Sequence, residues 1–290
     1  MHDKAEEQLA TIFNKIIERP EDHSCLSPRY SELKAEAKKL LIQLYGENSL
    51  QSALLPNIGV VQLPFFSMGN VDSVNLFDLD ELILFAFYCL GKDRYKNALD
   101  IGANIGLHSI IMAKLGFNVT AFEPDPVHYD KLLANTILNG VNYSIKPVNA
   151  AVSKASGVSE FTRVVGNTTG SHLTTAKVGA YGKLERFEVE VVSINNFASE
   201  IDFIKLDAEG EELNIIKGIN PEVWSDIDII AELGNERNAL LAFDYLESID
   251  VRIYSQKNNW QRVRSPELMP TNYKEGSVFI SRCHEMPWMN

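Results

Sequence analysis

Apolar positions in the first 45 or so residues recur every three or four places. Leu9, Ile12, Phe13 and Ile16 share one helical face, and Tyr30, Leu33, Ala37, Leu40, Leu41 and Leu44 share another, the spacing of two amphipathic helices. RPEDHSCLSP between them reads as a turn, with Ser27 as cap and Pro28 at the first helical position. IGVVQLPFF, residues 58–66, has the character of a strand. The apolar run LILFAFYCL at 82–90 predicts a buried helix that opens at Asp78, pairs that cap with Glu81 in a capping box, and closes at Gly91.

From about residue 96 short β-rich runs alternate with helical ones. NALDIG precedes GLHSIIMAKLG, NVTAFEP precedes DPVHYDKLLANTILNG, and YSIKPVNAAV leads into a polar, strand-like excursion over 158–192. IDFIKLDAEG then precedes EELNIIKGI, DIDIIAEL precedes NERNALLAFDYLES, and VRIYS and GSVFIS come last. Such alternation predicts an α/β fold with a doubly wound, mostly parallel sheet covered by helices on both faces. Ligands on such sheets sit beyond the strand C-termini, where the topology reverses. The chain divides into an N-terminal helical or cap region, residues 1–90, and a Rossmann-like domain, residues 91–290.

Composition narrows the partners. A net charge of −12 opposes tight binding to a polyanion, so no nucleic-acid partner is expected. No apolar run approaches the ~20 residues needed to span a bilayer. The N-terminus lacks the basic head and apolar stretch of a secretory signal. Cys25, Cys89 and Cys283 form neither a disulfide framework nor a thiolate metal site, which fits a reducing cytoplasm. Homo-oligomerisation stays open.

The chemistry starts at LDIGANIGLHS, residues 99–109. A Walker loop needs a lysine after its last glycine, and a dinucleotide turn needs GxGxxG; this turn has neither and reads DxGxNxG: Asp100, Gly102, Asn104, Gly106. A carboxylate at the strand end repels a pyrophosphate and attracts a cation, and S-adenosylmethionine carries an ammonium, a sulfonium and no phosphate. Gly102 and Gly106 permit close backbone approach, and the Asn104 amide is a candidate for the methionine carboxylate. Glu123, 21 residues after Gly102, ends the next strand beside Pro124, where it can accept hydrogen bonds from both ribose hydroxyls. Asn149 and Ala150, ending the third strand, flank the expected adenine position.

Together ALDIGANIGLHSIIMAKLG, VTAFEPDP, LLANTILNG, NAAVS and IDFIKLDAEGEELNIIKGI resemble the FkbM-type methyltransferases, over residues 96–233 or so. That resemblance implies the seven-stranded class I fold, S-adenosylmethionine as cofactor, and O-methylation of a hydroxyl on a sugar, glycan or polyketide-type molecule. The N-terminal helices and His108 lie outside the resemblance.

KLDAEGEE places Asp207 and Glu209 at the ligand-binding edge of the sheet, ahead of a helix whose first-turn dipole accounts for Glu211 and Glu212. Asp207 is the candidate base for an acceptor hydroxyl, with Glu209 and Glu212 shaping the loop or binding further hydroxyls. His172, in the hydroxyl-rich GNTTGSHLTT, and His108 are alternative bases. A metal-assisted variant would gather Asp207, Glu232 and Asn235 around Mg²⁺; its pattern is loose, and it is the less favoured arrangement. A nicotinamide oxidoreductase and a catalytically inactive binding module remain as rival readings. An amino-methyltransferase of nucleic acid would carry a pair of prolines where this chain has DAEG.

Overall fold

The computed structural model describes residues 2–45, 50–64, 67–68, 71–72, 75–165, 170–174 and 183–289. Both expected N-terminal helices form, α1 (His2–Glu18) and α2 (Pro28–Tyr45), and their periodic apolar residues are buried. Next come the hairpin β1 (Leu50–Leu55) and β2 (Gly59–Pro64), and the short pair β3 (Ser67–Met68) and β4 (Val71–Asp72). Phe65 and Phe66 of the predicted strand lie outside the described residues. Helix α3 (Leu79–Gly91) is capped by Asp78, whose carboxylate accepts from the Asp80 and Glu81 amides. The expected capping box is not completed: Glu81 turns instead to His108, whose Nε2 lies 2.8 Å away.

The remaining elements are β5 (Asn97–Ile101), α4 (Leu107–Lys114), β6 (Asn118–Phe122), α5 (Pro126–Leu138), β7 (Ile145–Val148), β8 (Ala151–Ser153), β9 (Gly157–Val164), β10 (His172–Leu173), β11 (Leu184–Ser193), β12 (Phe203–Leu206), α6 (Glu212–Gly218), β13 (Asp228–Ala231), α7 (Glu236–Ser248), β14 (Arg252–Ser255), β15 (Gln261–Arg262) and β16 (Val278–Ser281). The main sheet runs β7-β6-β5-β12-β13-β16-β14-β15. Pairing is parallel from β7 through β13, and β16 is antiparallel to both its neighbours. Seven of these strands are the expected set. The eighth, β15, is a polar two-residue edge strand with no alternation to announce it. The run YSIKPVNAAV splits after β7, and its end, β8, joins the strands of the polar excursion in a separate sheet, β10-β9-β11-β8. The chain leaves β5 for β6 on one side and returns to β12 on the other, so the topology switches between β5 and β12.

Successive strand residues point to opposite faces. Ala98, Phe203, Ile230 and Phe279 join a core with α1, α2, α3 and α4, while Leu99, Ile204, Ile229 and Ile280 join a second core that includes Ile215 and Ile216 of α6 and Ala239, Ala242 and Leu246 of α7. The N-terminal segment is tied to the C-terminal part by His23, which is fully buried. Its Nε2 lies 2.8 Å from the Ile16 carbonyl, and its Nδ1 accepts from Trp260 Nε1 at 2.8 Å. A carbonyl only accepts and an indole N–H only donates, so this ring must be neutral.

Burial lowers the His23 pKa from 6.5 to about 4, against the opposing pull of Ile16, Glu21 and Asp80. Between those pH values the unfolded chain binds a proton that the folded chain refuses. The stabilisation is therefore complete above pH 6.5 and is lost as pH falls towards 4, at up to about 1.4 kcal/mol per pH unit. Denaturant titrations at pH 7 and 4.5 should show a flatter pH dependence for His23→Gln than for the parent chain. Equal slopes would contradict the neutral, doubly bonded ring.

Candidate active site

A pocket opens beyond the C-terminal ends of β5, β6 and β12. The turn after β5 holds three left-handed residues: Gly102 (φ 80°), Asn104 (φ 50°) and Gly106 (φ 89°). Asn tolerates that conformation and glycine adopts it freely. At Gly102 the need is steric as well, since a Cβ would fall 1.8 Å from the Asp207 carbonyl oxygen. The turns after β5 and β12 are thus in backbone contact, and Asp207 N–H donates to the Ile101 carbonyl at 3.0 Å.

Of the residues expected to hold a cofactor, Gly102, Asn104, Glu123, Pro124 and Ala150 line the pocket, and Asp100, Gly106 and Asn149 do not. Asp100 is wholly buried beneath the turn, where it accepts from Ser109 Oγ at 2.6 Å and lies 3.7 Å from Lys205 Nζ. Gly106 caps α4 and leaves room for α5, since a Cβ there would meet Leu132 at 3.1 Å. The Asn149 amide donates to the carbonyls of Glu123 and Pro124, bracing the turn after β6 from behind.

Glu123 is buried, and each of its oxygens accepts a backbone N–H at 2.8 Å, one from Asn104 and one from Asp125. The carboxylate therefore ties the glycine turn to the start of α5 and retains lone pairs for further donors. Burial outweighs those two bonds and pushes its pKa up to about 8. His128 lies 3.9 Å away, and burial lowers its pKa to about 4, so it is neutral.

Lys205 carries the charge balance of the opposite wall. Its ammonium donates to the Gly102 carbonyl at 3.3 Å and lies 3.5 Å from Asp207 and 3.7 Å from Asp100. Burial alone would lower its pKa, but Asp207 and Asp100, with Glu81 and Glu232, outweigh burial and hold the pKa above that of an ordinary lysine. After Asp207, Glu209 (φ 49°) and Gly210 (φ 111°) turn the chain. Glu212 fixes that turn by accepting from the amides of Ala208 and Gly210. Its dipole role is joined by this loop-shaping one. Glu211 accepts from Ser153 Oγ and Asn214.

Asp207, Glu209 and His172 all line the pocket. His172 Nδ1 lies 2.8 Å from the Gly170 carbonyl, which makes Nδ1 the donor and leaves the lone pair on Nε2. Residues 166–169 and 175 of its hydroxyl-rich segment lie outside the described residues. The magnesium trio departs from the sequence expectation. Asn235 caps α7, accepting from the Asn238 amide, and neither it nor Glu232 lines the pocket. Burial and the charges of Asp207 and Glu81 push the Glu232 pKa well up. Among the described residues no three His, Cys, Asp or Glu side chains group to hold a metal ion, and no helix is long and apolar enough to cross a membrane.

Two groups on this wall were not legible as a pair. Glu81 of α3 and His108 of α4 both line the pocket and touch each other. Twenty-seven positions separate them, and no local pattern joins them. Phe161, Ser171 and Leu173 of the second sheet region complete the lining.

The strand order, the glycine turn after β5, the acidic residue ending β6 and the acidic turn after β12 define a class I methyltransferase fold. The family described as Methyltransferase FkbM domain matches residues 100–262. The chain belongs to that family. It is 32% identical over 158 residues to the methyltransferase sdnD of Sordaria araneosa, across 43% of this chain and 61% of that protein. It is 29% identical over 139 residues to the hexuronic acid methyltransferase AglP of Haloferax volcanii, across 46% of this chain and 54% of that protein. The chain thus spans less than two thirds of either relative. A crystal structure of an FkbM methyltransferase from Methylobacillus flagellatus KT aligns over 87% of this chain and 60% of that one, with 15% identity and a TM-score of 0.41.

Proposed function

We propose that the protein transfers a methyl group to a hydroxyl of a sugar, glycan or polyketide-type molecule. The observation that carries this reading is the pocket's charge. Glu81, Asp207, Glu209 and Glu211 line it together with Glu123, which ionises at about pH 8 in the empty site, while Lys205, buried in its wall, is committed to Asp100, Asp207 and the Gly102 carbonyl. A cationic cofactor without phosphate and a neutral acceptor suit such walls; a phosphorylated cofactor or an anionic acceptor does not.

In this reading Gly102 lets the backbone come close to the cofactor, Glu123 accepts the ribose hydroxyls, and Pro124 and Ala150 border the nucleoside. When bound, S-adenosylmethionine supplies a methyl group activated by its sulfonium. Asp207, whose side chain is about one-third exposed at 35%, holds the acceptor hydroxyl and takes its proton as the oxygen attacks. Glu209 binds a neighbouring hydroxyl. His172, with its Nε2 lone pair, is the second candidate for the proton.

Glu123→Ala is expected to weaken S-adenosylhomocysteine at least about tenfold in calorimetric titration, from the loss of hydrogen bonds to a charged acceptor. The carboxylate is the form that accepts two hydroxyl donors, and the empty site ionises at about pH 8. Binding at pH 7 should therefore release a proton and tighten as pH rises towards 8, and Glu123→Gln should show neither effect.

The acceptor class is tested by incubating the enzyme with methyl-labelled cofactor and a panel of neutral glycosides, phenolic or polyketide alcohols, and uronic acids. Label in an alkali-stable methyl ether is the expected product. Label confined to an alkali-labile ester of a uronic acid would overturn the hydroxyl assignment.

A further inference from the structure

The site contains a chain of close polar contacts that the proposed chemistry leaves unused. Tyr88 O–H lies 2.8 Å from His108 Nδ1, and His108 Nε2 lies 2.8 Å from Glu81 Oε2. Burial pushes the Tyr88 pKa well up, so the phenol keeps its proton and can donate it to Nδ1. That leaves the ring proton on Nε2, the atom that lies beside Glu81. Phe85 packs edge-on against the imidazole at 5.4 Å between ring centres and limits its rotation. The result is a carboxylate on α3 held against the first turn of α4, in the wall of the pocket.

An amino-acid end carries an ammonium and a carboxylate on one carbon, so its site needs an anion and a set of donors side by side. Asp100 cannot serve as that anion, because it is wholly buried and does not line the pocket. Glu123, directly after β6, is assigned to the ribose hydroxyls in the reading above. Asp207 and Glu209 are assigned to the acceptor above, and Glu211 accepts from Ser153 and Asn214, which leaves Glu81, beside the N-terminal turn of α4, whose cap Gly106 offers no side chain. A second, independent feature points to a ligand with N–H donors: Asn104 Oδ1, in the same lining, is buried and has no hydrogen-bond partner.

We propose that Glu81, positioned by His108 and Tyr88, receives the α-ammonium of S-adenosylmethionine, with Asn104 Oδ1 as a second acceptor. This rests on the cofactor assignment above. It reverses the role expected for Asn104, since the unpaired atom is an acceptor and suits the ammonium better than the carboxylate. It also brings the N-terminal region into cofactor binding.

The test is calorimetric titration of the full chain with S-adenosylhomocysteine, its analogue lacking the α-amino group, and 5′-methylthioadenosine, which lacks the amino-acid end. Glu81→Gln should weaken S-adenosylhomocysteine about tenfold or more, as expected for a lost charge-assisted bond. It should leave methylthioadenosine within about twofold. The parent chain should lose a similar factor when the ligand's amino group is removed, and Glu81→Gln should not. His108→Phe should give a smaller loss with the same ligand selectivity. Equal weakening of all three ligands would make Glu81 a structural residue and overturn the proposal, as would unchanged binding of S-adenosylhomocysteine. Failure of the parent chain to bind S-adenosylhomocysteine at millimolar concentration would instead refute the cofactor assignment, and this inference with it.

Discussion

Asp207→Asn is expected to lower kcat by about 10²- to 10⁴-fold, the usual contribution of a positioned general base, while S-adenosylhomocysteine affinity stays within about threefold. The substitution keeps the size and hydrogen-bonding reach of the side chain but removes its capacity to take a proton. It also removes one of the carboxylates beside Lys205, 3.5 Å away. Asp100, fully buried at 3.7 Å, still balances that ammonium, so the fold should tolerate the change. His172→Gln is the control on the other wall and should cost less than about tenfold. A full rate for Asp207→Asn with a collapsed rate for His172→Gln would exchange the two roles, and the initial rates of labelled methyl transfer decide it.

Gly102→Ala should be the most damaging single change in the cofactor turn. The residue sits at φ 80°, and an added Cβ would fall 1.8 Å from the Asp207 carbonyl, against backbone that also pairs with Ile101. Left-handed geometry costs an alanine about 1–2 kcal/mol. The clash adds the displacement of the turn carrying Asp207 and Glu209, so a total of about 3 kcal/mol or more is expected. Gly106→Ala, with φ 89° and a Leu132 side-chain atom 3.1 Å from its Cβ, should cost less, because a side chain yields where a hydrogen-bonded backbone turn does not. Thermal unfolding and cofactor titration of both variants test the ranking. A Gly102→Ala chain as stable as the parent would contradict the close approach of the two turns.

Periodicity and motif spacing sufficed for the strands and helices from residue 96 onward, because a buried parallel sheet demands continuous apolar runs and its helices demand one apolar face. Glu123 and Asp207 were legible for the same reason: each follows directly on a strand end. The misread residues are those whose partners lie far away in sequence. Asp78 is a cap as its local pattern says, but Glu81 obeys His108 rather than the capping box. Asp100 looked like a ligand of the cation, yet Ser109 and Lys205 claim it below the surface of the pocket. Asn149 looked like a nucleoside contact and serves as a brace for the Glu123 and Pro124 carbonyls. Strand β15 escaped notice because two exposed or half-exposed polar residues carry no alternation.

The central claim is that the turns after β5, β6 and β12 together hold a sulfonium cofactor. Its most direct test is calorimetric titration of the parent chain and Glu123→Ala with S-adenosylhomocysteine, with NADH titrated in parallel. The account predicts one site per chain for S-adenosylhomocysteine, weakened at least about tenfold by Glu123→Ala, and no comparable binding of NADH. No heat at millimolar S-adenosylhomocysteine, or tighter binding of NADH, would contradict it.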